Sequence, residues 1–363
     1  MSDGTADAPA TTVEPVEPRP SSVAGAGQEI TTLRAVVTGC AGFIGSHLSE
    51  RLVADGWQVV GIDAFTSYYE RADKEANLAQ LATEPRFRLI EADLARLPLE
   101  PLVAGADAVF HLAAQAGVRA SFGETFTDYV NDNVLATQRV FEAALATSRP
   151  RVVMASSSSV YGDAATYPCR ESTTPLRPRS PYGVTKRTCE DLAEVYRTLG
   201  LAVIGLRYFT VYGPRQRPDM AIRLLCEAAC GGPEFRLLGD GRQSRDFTYV
   251  DDVVDATARA ARVTLLPAVA NVGGGREATM NQVIELIEGL SGNRLAVRRE
   301  AVQRGDVRRT AADTELARRQ LGWRPEVDLV SGLRRQLDWV RSRAERLGRI
   351  GATPSAVVAG VAR

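Results

Sequence analysis

The sequence predicts an α/β protein with a doubly wound parallel sheet, a Rossmann fold, and a smaller C-terminal α/β lobe. Two observations support this. Short apolar runs alternate with segments of helical period from residue 33 onward, and a glycine-rich turn directly follows the first run. Runs that are apolar throughout are typical of strands covered on both faces. Helices between such strands make parallel crossovers, which gives a doubly wound sheet.

Each element of this sheet is indicated by a run of its own. The predicted strands are 33–38, 57–62, 86–93, 107–114, 151–158 and 201–209. Helices are expected after the glycine turn to about residue 54, at 133–146, and from Pro181 onward, because proline favours the first turn of a helix.

The composition changes along the chain and predicts its division. Residues 1–31 contain few large apolar side chains and are predicted to be a disordered tail. The NAD-binding Rossmann domain is expected at 32–213, with 248–272 returning to it. Short elements broken by Gly and Pro predict a substrate-binding lobe at 214–247 and 273–345, and a flexible C-terminus is expected at 346–363.

Charge and length favour a small-molecule partner. The 363 residues carry 44 basic and 44 acidic side chains, which argues against binding to nucleic acid or an anionic membrane. The chain has no apolar run long enough to span a membrane, and its first residues lack the features of a secretory signal, so a cytoplasmic protein is expected.

The cysteines predict neither disulfides nor a metal site. Their number is odd and they form no C-x-x-C pair, which suits reduced thiols. Cys226 and Cys230 are four residues apart and could bind a metal, but the chain has only two histidines, His47 and His111. Structural packing is therefore the favoured reading of this pair.

The glycine-rich turn indicates a dinucleotide site. Gly39, Gly42 and Gly45 form a G-x-x-G-x-x-G loop between the first strand and a helix. Glycines let the backbone approach a pyrophosphate, and the helix N-terminus offers it free N–H groups. A plain strand-to-helix turn without a bound ligand could show the same glycine pattern. Asp63, 24 residues after Gly39 at the end of the second strand, favours the dinucleotide.

Two acidic residues refine the choice of cofactor. The carboxylate of Asp63 would bind ribose hydroxyls and repel a 2′-phosphate, which favours NAD over NADP. Arg71 lies too far along the chain to reverse this preference. Asp93, just past the third strand, is predicted to accept from the adenine amino group, with a helix N-cap as an alternative that is compatible with that role.

The stretch SPYGVTK predicts the catalytic base. Tyr182 and Lys186 are one helical turn apart, and only two of the 44 basic residues of the chain are lysines. A phenol becomes a base near neutral pH only if a nearby cation stabilises its phenolate. The lysine ammonium supplies that charge. It is also a compact hydrogen-bond donor to ribose hydroxyls, a role for which a planar guanidinium is less suited. A surface Tyr and Lys at this spacing would otherwise be unremarkable.

Five motifs, in order, carry a family resemblance: TGCAGFIG, HLAAQAGVR, SSSSVYG, SPYGVTK and RDFTYVDDV. Over roughly residues 33–340 the chain resembles the extended short-chain dehydrogenase/reductase superfamily, specifically its nucleotide-sugar epimerases and dehydratases. Within it, HLAAQAGVR and LRYFTVYGPRQRPDMA are most similar to the UDP-glucuronate 4-epimerases. The motifs leave open whether the nucleotide base is uracil or thymine.

The resemblance implies a set of site residues. The catalytic residues would be Ser157, Tyr182 and Lys186, with Ser157 hydrogen-bonding the sugar O4. NAD would be bound by Gly39, Gly42, Phe43, Ile44, Gly45, Asp63, Asp93, Leu94, Leu112, Ala113, Ala114, Asn133, Tyr182, Lys186 and Phe209. A UDP-sugar would be bound by Ser157, Ser158, Ser159, Tyr182, Thr210, Arg217, Arg245, Gln303 and Asp306.

Several of these residues have plainer readings. The three serines could simply cap a turn at a strand end. Arg217 is a candidate, with the nearby hydroxyls, to hold the carboxylate of a uronate sugar, but it could equally be a solvated loop residue. Arg245 lies where the family holds the diphosphate, and arginine suits a bidentate phosphate contact. Gln303 and Asp306 in the QRGD turn would bind the ribose or only form the turn.

The residues beside the catalytic serine narrow the reaction. In this superfamily dehydratases carry an Asp-Glu pair after the catalytic Thr, where this chain has Ser158 and Ser159. Related uronate decarboxylases carry a glutamate immediately before Val-Tyr-Gly, the position of Ser159. Without these carboxylates the resemblance implies 4-epimerisation through a transient 4-keto sugar, most simply of UDP-glucuronate to UDP-galacturonate.

Two rival functions remain at the level of sequence. A 4-epimerase could act on a neutral sugar nucleotide, UDP-glucose or UDP-N-acetylglucosamine, and a protein of the same fold could sense NAD without catalysis. The intact Ser157, Tyr182 and Lys186 argue against the second.

The sequence also predicts a homodimer. The helices at 133–146 and 182–198 each have one face that packs on the sheet, and each has further small or apolar residues outside that face. Pairing of these surfaces between two copies would form a four-helix bundle.

Overall fold

The structure is a computed structural model that describes residues 32–264 and 267–347. The predicted tail, residues 1–31, lies outside the described residues, as do residues 348–363 of the predicted flexible C-terminus. Arg346, the first residue of that segment, ends the last described helix.

Helices and parallel strands alternate from Arg34 onward. The strands are β1 (Arg34–Thr38), β2 (Gln58–Asp63), β3 (Phe87–Glu91), β4 (Ala108–His111), β5 (Arg151–Ser157), β6 (Val203–Tyr208), β7 (Thr210–Tyr212), β8 (Phe235–Leu238), β9 (Ser244–Tyr249), β10 (Val269–Val272), β11 (Glu277–Thr279) and β12 (Val297–Glu300). The α-helices are α1 (Phe43–Ala54), α2 (Arg71–Asn77), α3 (Glu100–Val103), α4 (Phe126–Tyr129), α5 (Ala136–Ala146), α6 (Pro181–Thr198), α7 (Ala221–Ala229), α8 (Val250–Ala260), α9 (Met280–Ser291), α10 (Glu315–Leu321) and α11 (Leu329–Arg346).

The predicted doubly wound sheet is confirmed. In the described part of the chain seven parallel strands follow the order β10-β6-β5-β4-β1-β2-β3. The order reverses between β1 and β4, which is the switch point where open α/β sheets bind ligands. All six predicted apolar runs contain a strand of this sheet.

Both faces of the sheet are covered, as continuous apolar strands require. In β1, Ala35 and Val37 pack into one hydrophobic cluster, whereas Val36 packs into another. Each of the three side chains is at most 2% exposed. Because successive residues of a strand point to opposite faces, this split places helices on both sides.

The helix predicted at 133–146 begins earlier than expected and is irregular. Helical structure starts with α4 at Phe126, passes through a π-helix at Val130–Leu135, and continues as α5. Apolar periodicity locates the regular part, but it carries no signal for a π segment. Such segments are frequent at functional sites.

Smaller sheets follow β6. One has the order β11-β9-β7 and another pairs β12 with β8. Strand β10, by contrast, pairs with β6 in the main sheet. The exact boundaries between the two predicted lobes stay a prediction.

The described residues contain no group of three or more His, Cys, Asp and Glu side chains arranged to hold a metal ion. The five cysteines form no disulfide within that part of the chain. Over the same residues, every helix is too short or too polar to cross a membrane.

Candidate active site

A cavity of about 690 Å³ lies at the carboxyl ends of the parallel strands. Its wall is formed by segments that end or follow β1 to β6, and it crosses the switch point between β1 and β4. This is the position at which doubly wound sheets bind ligands, and the volume is in the usual range of ligand pockets.

Most of the predicted site residues line this cavity. From the predicted cofactor set these are Gly39, Gly42, Phe43, Ile44, Gly45, Asp63, Asp93, Leu94, Leu112, Ala113, Ala114, Tyr182, Lys186 and Phe209. From the predicted substrate set they are Ser157, Ser158, Ser159, Tyr182, Thr210 and Arg217.

The glycine loop has the geometry that a dinucleotide phosphate requires. Gly39 has φ of +71°, and a Cβ atom there would lie 2.8 Å from the backbone N of Ala113. A Cβ atom on Gly45 would lie 2.0 Å from the Gly39 carbonyl oxygen. Within the described chain no side chain caps the first turn of α1. Its N–H groups therefore suit a phosphate in the cavity, and the loop fits the predicted cofactor.

Asp63 is fixed by the backbone around it. Its Oδ2 accepts from the N–H of Ala41 at 3.0 Å, and its Oδ1 accepts from the N–H of Phe65 at 2.8 Å. A carboxylate has about four acceptor positions, so it can still accept from two ribose hydroxyls. The orientation agrees with the role predicted for Asp63.

Lys74 is a cavity residue that the sequence reasoning missed. Its Nζ lies 3.8 Å from Asp63 Oδ1 and donates to the Thr66 carbonyl at 3.0 Å. Burial lowers the pKa of Lys74, and the Asp63 carboxylate opposes this shift. Both lysines of the chain, Lys74 and Lys186, are 5% exposed and line the same cavity. The scarcity of lysine that singled out Lys186 would also have identified Lys74.

Asp93 caps a turn and lies at the cavity, and its contact with the adenine amino group stays a prediction. Its side chain accepts from the N–H of Ala95 at 2.8 Å, which caps the turn after β3. The residue also lines the cavity beside Leu94. Capping fixes the carboxylate at the cavity wall without using all of its acceptor positions.

The three predicted catalytic residues come from two elements that meet at the cavity. Ser157 ends β5, and its hydroxyl accepts from the N–H of Ser159 at 3.1 Å. Tyr182 and Lys186 lie on the first turns of α6, which the side chain of Ser180 caps. The Nζ of Lys186 donates to the carbonyl of Ala155 at 2.9 Å. This bond ties the lysine to the strand that carries the serine.

A buried ion pair joins α6 to β6, the strand that pairs with β5. Arg207 on β6 donates from Nε and Nη2 to Glu190 on α6, at 2.9 and 2.8 Å. The hydroxyl of Ser156, next to Ser157, also donates to Glu190. Both charges are buried and hydrogen-bonded. Together with the Ser156 hydroxyl, the pair therefore fixes α6 against the ends of β5 and β6.

Arg217 reaches the cavity with a carboxylate already beside it. Its Nε and Nη2 donate to the two oxygens of Asp219 at 3.0 and 3.1 Å. Burial disfavours the charged guanidinium, but Asp219 more than offsets this, so the pKa of Arg217 is raised. Arg217 is therefore a cation of the cavity wall.

Asn133 lies behind the cavity wall. Its side-chain oxygen accepts from the N–H of Gln115 at 2.7 Å, and its Nδ2 donates to the Gln115 carbonyl and to Thr185 Oγ1. The amide thus braces the backbone that follows β4 against α6. A direct contact of Asn133 with the cofactor stays a prediction.

Arg245, Gln303 and Asp306 lie outside the set of cavity-lining residues. Asp306 pairs with Arg119 at 3.4 Å. A Cβ on Gly305 would lie 2.9 Å from Val118, a residue of the cavity wall, so the QRGD turn borders the cavity. Burial lowers the pKa of Arg245, and the carboxylate of Asp306 opposes this shift.

Further cavity residues gave no sequence signal. Their position depends on the whole fold; Asp132 lies in the π-helix and the others lie in loops, namely Thr66, Tyr68, Tyr69, Arg96, Gln115 and Met220. Tyr68 lies between Gly117 and Asp219, and its hydroxyl donates to Asp219 at 3.3 Å.

Comparison with known proteins gives a consistent family. Residues 35–273 match the model of the NAD dependent epimerase/dehydratase family. A Bacillus subtilis protein named as an uncharacterized UDP-glucose epimerase, YtcB, is 41% identical over 313 residues, covering 85% of this chain and 98% of that protein. A UDP-glucuronate 4-epimerase of Thermodesulfobacterium geofontis is 35% identical over 318 residues, covering 85% and 97%.

A solved structure is similar over the same part of the chain. It is the UDP-glucuronic acid 4-epimerase of Bacillus cereus in complex with UDP-glucuronic acid and NAD, with a TM-score of 0.82 and 37% sequence identity. The match covers 86% of this chain and 100% of that one.

Proposed function

Because this chain belongs to the NAD dependent epimerase/dehydratase family, we propose that it is an NAD-dependent 4-epimerase that interconverts UDP-glucuronate and UDP-galacturonate. The membership predicted from five motifs is confirmed. The observation that supports the proposal is that Ser157, Tyr182, Lys186, Thr210 and Arg217 all line the same cavity. Proton-transfer groups and a set of carboxylate donors thereby face one space.

The residues of the cavity have distinct roles. The phenolate of Tyr182, which the ammonium of Lys186 stabilises, takes the proton of the sugar O4 and becomes a phenol. Ser157 holds the same O4 by a hydrogen bond. The glycine loop and Asp63 would hold NAD, which would supply the hydride acceptor and donor for C4.

Hydroxyl groups replace carboxylates beside the catalytic serine. Ser158 and Ser159 occupy the positions where related dehydratases and decarboxylases carry acidic residues, and both line the cavity. No acid from these positions is then available to drive elimination of water. Epimerisation is the reaction that this substitution supports best.

A uronate substrate requires that its carboxylate be restrained. A 4-keto-uronate is a β-keto acid and loses CO2 when the carboxylate bond aligns with the carbonyl π system. The hydroxyls of Ser157, Ser158, Ser159 and Thr210 and the guanidinium of Arg217 are the groups that would restrain it. They would hold it by several charged hydrogen bonds at once.

Weakening this restraint tests the proposal. We expect the substitutions Thr210→Val and Arg217→Ala to release some UDP-4-keto-pentose and CO2 from UDP-glucuronate. Because this product leaves before the hydride returns to it, part of the enzyme is left with reduced cofactor. Each lost hydrogen bond to a charged group is worth about 1.5–3 kcal/mol, so leakage should be partial. Product masses and NADH absorbance measure it.

Slower variants that release no pentose or CO2 above wild type would contradict the restraint. The neutral-sugar 4-epimerase would then become the better reading. That alternative is favoured independently by the similarity to a protein named as a UDP-glucose epimerase.

The active unit is proposed to be a homodimer in the cytoplasm. Helices α5 and α6 pack against each other, with the rings of Phe141 and Tyr196 5.2 Å apart. Their outer surface and the π-helix expose Val130, Leu135, Val184 and Val195, the last being 55% exposed. A second copy covering this face would bury these side chains in a four-helix bundle.

The dimer predicts a clear effect of one charge. Val195→Glu should give a monomer by light scattering at micromolar concentration, because the bundle would bury the new carboxylate. Val330→Glu, at a residue of α11 that is 41% exposed, is the matched control and should remain dimeric. A wild-type monomer would rule the dimer out.

A further inference from the structure

Part of the Arg217 guanidinium already forms hydrogen bonds to a carboxylate of its own chain. Asp219 takes the Nε and Nη2 side of the group, at 3.0 and 3.1 Å. An arginine has five N–H donors, and a carboxylate on this side leaves the Nη1 and Nη2 fork for another bidentate partner. Within the described residues, Asp219 is the acid that pairs with Arg217.

Tyr68 holds Asp219 in this position by a direct hydrogen bond. Its hydroxyl donates to Asp219 Oδ2 at 3.3 Å, and the Arg217 guanidinium lies 5.7 Å from the centre of its ring. Burial, with the negative charge of Asp219, raises the pKa of Tyr68, so the hydroxyl remains a donor. A Cβ on Gly117 would lie 2.6 Å from this hydroxyl, so the glycine leaves room for it.

The Arg217–Asp219 pair has almost no net charge, although it borders the site proposed for the substrate carboxylate. Arg217 lines the cavity and is 20% exposed, whereas Asp219 is 44% exposed and is absent from the lining. A carboxylate that bound the free fork would therefore be attracted by one cation and repelled by Asp219. The repulsion is appreciable because the two carboxylates would share a single guanidinium.

Epimerisation explains why a weaker attraction is useful. This step rests on the proposed function. The hydride must return to the face of C4 opposite to the one that it left. The keto sugar must therefore turn over inside the cavity. Its carboxylate must leave its partners and find them again. Tight binding of a state that precedes a slow step lowers kcat without improving the reaction.

We propose that Asp219 is a specificity-determining residue that partly neutralises Arg217. The guanidinium then restrains the uronate carboxylate against decarboxylation but releases it when the sugar turns. Tyr68 keeps Asp219 against Arg217 while it does so.

The test compares two substrates that differ only in the carboxylate. In NAD-loaded enzyme, Asp219→Asn keeps the size of the side chain and removes its charge. We expect the Kd of UDP-glucuronate to fall about tenfold and kcat to fall with it, while the Kd of UDP-glucose changes less than about threefold. Calorimetry gives both Kd values, and an NMR assay of UDP-galacturonate gives kcat and KM.

Two further variants isolate charge from shape. Asp219→Glu retains the charge and should keep the affinity ratio of the two substrates near that of wild type. Asp191→Asn removes a carboxylate that is 70% exposed and pairs with Arg187 on α6, and it should leave the ratio unchanged. Thermal unfolding of each variant confirms that it is folded.

The outcomes separate this inference from the proposed function. Weaker binding of UDP-glucuronate by Asp219→Asn would mean that Asp219 only orients Arg217, and equal changes for both substrates would mean a structural role; either result overturns the inference. A wild-type enzyme that does not epimerise UDP-glucuronate would overturn the proposed function, and this inference with it.

Discussion

Tyr182→Phe should abolish epimerisation while the protein keeps its cofactor. Phenylalanine retains the ring, which packs edge-on against Tyr129 with centroids 6.2 Å apart. It lacks the oxygen that is proposed to take the O4 proton. Loss of a general base costs roughly 10²–10⁴-fold or more in kcat. Turnover of UDP-glucuronate and the bound NAD content, both measured on purified protein, give the result.

A second tyrosine of the same helix provides the control. Tyr196 also lies on α6, but its hydroxyl contacts Gln138 and Glu142 rather than the cavity. Tyr196→Phe should therefore keep activity near wild type. If Tyr182→Phe were equally active, Tyr182 could not be the base.

Lys186→Arg should lose activity although the positive charge is kept. The lysine is 5% exposed and its Nζ donates to the Ala155 carbonyl at 2.9 Å. A guanidinium is broader and planar, so it cannot keep this contact and also face both the phenol and a ribose hydroxyl. We expect kcat to fall about 10²-fold or more, as for loss of a positioned proton-transfer group.

Arg187→Lys makes the reverse exchange one residue further along α6. Arg187 is exposed and donates to the Leu176 carbonyl, outside the cavity, so this variant should remain active. Activity of Lys186→Arg close to that of wild type would show that only the charge at this position matters.

The sequence was sufficient where the relevant signal is local. Apolar runs predict the strands because each must be buried on both faces of the sheet. The glycines predict the phosphate loop because a Cβ at Gly39 or Gly45 would meet backbone atoms. Pro181 and the four-residue spacing place Tyr182 and Lys186 on one face of α6.

The remaining site residues depend on contacts between distant segments. Tyr68 reaches Asp219 across 151 positions, and Asp306 reaches Arg119 across 187. No periodicity or spacing in the sequence encodes such a pair. The π-helix and its bonds to Gln115 place the amide of Asn133 behind the cavity wall, and its predicted contact with the cofactor stays a prediction.

Lys74 shows a signal that was present but incomplete. It is rare by composition, yet its helix α2 is short and has no apolar periodicity that would orient it toward Asp63. Only the packing of α2 against the end of β2 brings the two charges within 3.8 Å. Residue type could identify the lysine, but its place in the site follows from tertiary structure.

The substrate preference of the wild-type enzyme tests the proposed UDP-glucuronate 4-epimerase activity most directly. UDP-glucuronate, UDP-glucose and UDP-N-acetylglucosamine would be supplied separately at matched concentrations, with the C4 epimers quantified by NMR. The contacts proposed for Thr210 and Arg217 with a substrate carboxylate predict that kcat/KM is highest for UDP-glucuronate, by at least about tenfold. An equal or higher kcat/KM for either neutral sugar would contradict the assignment of the substrate.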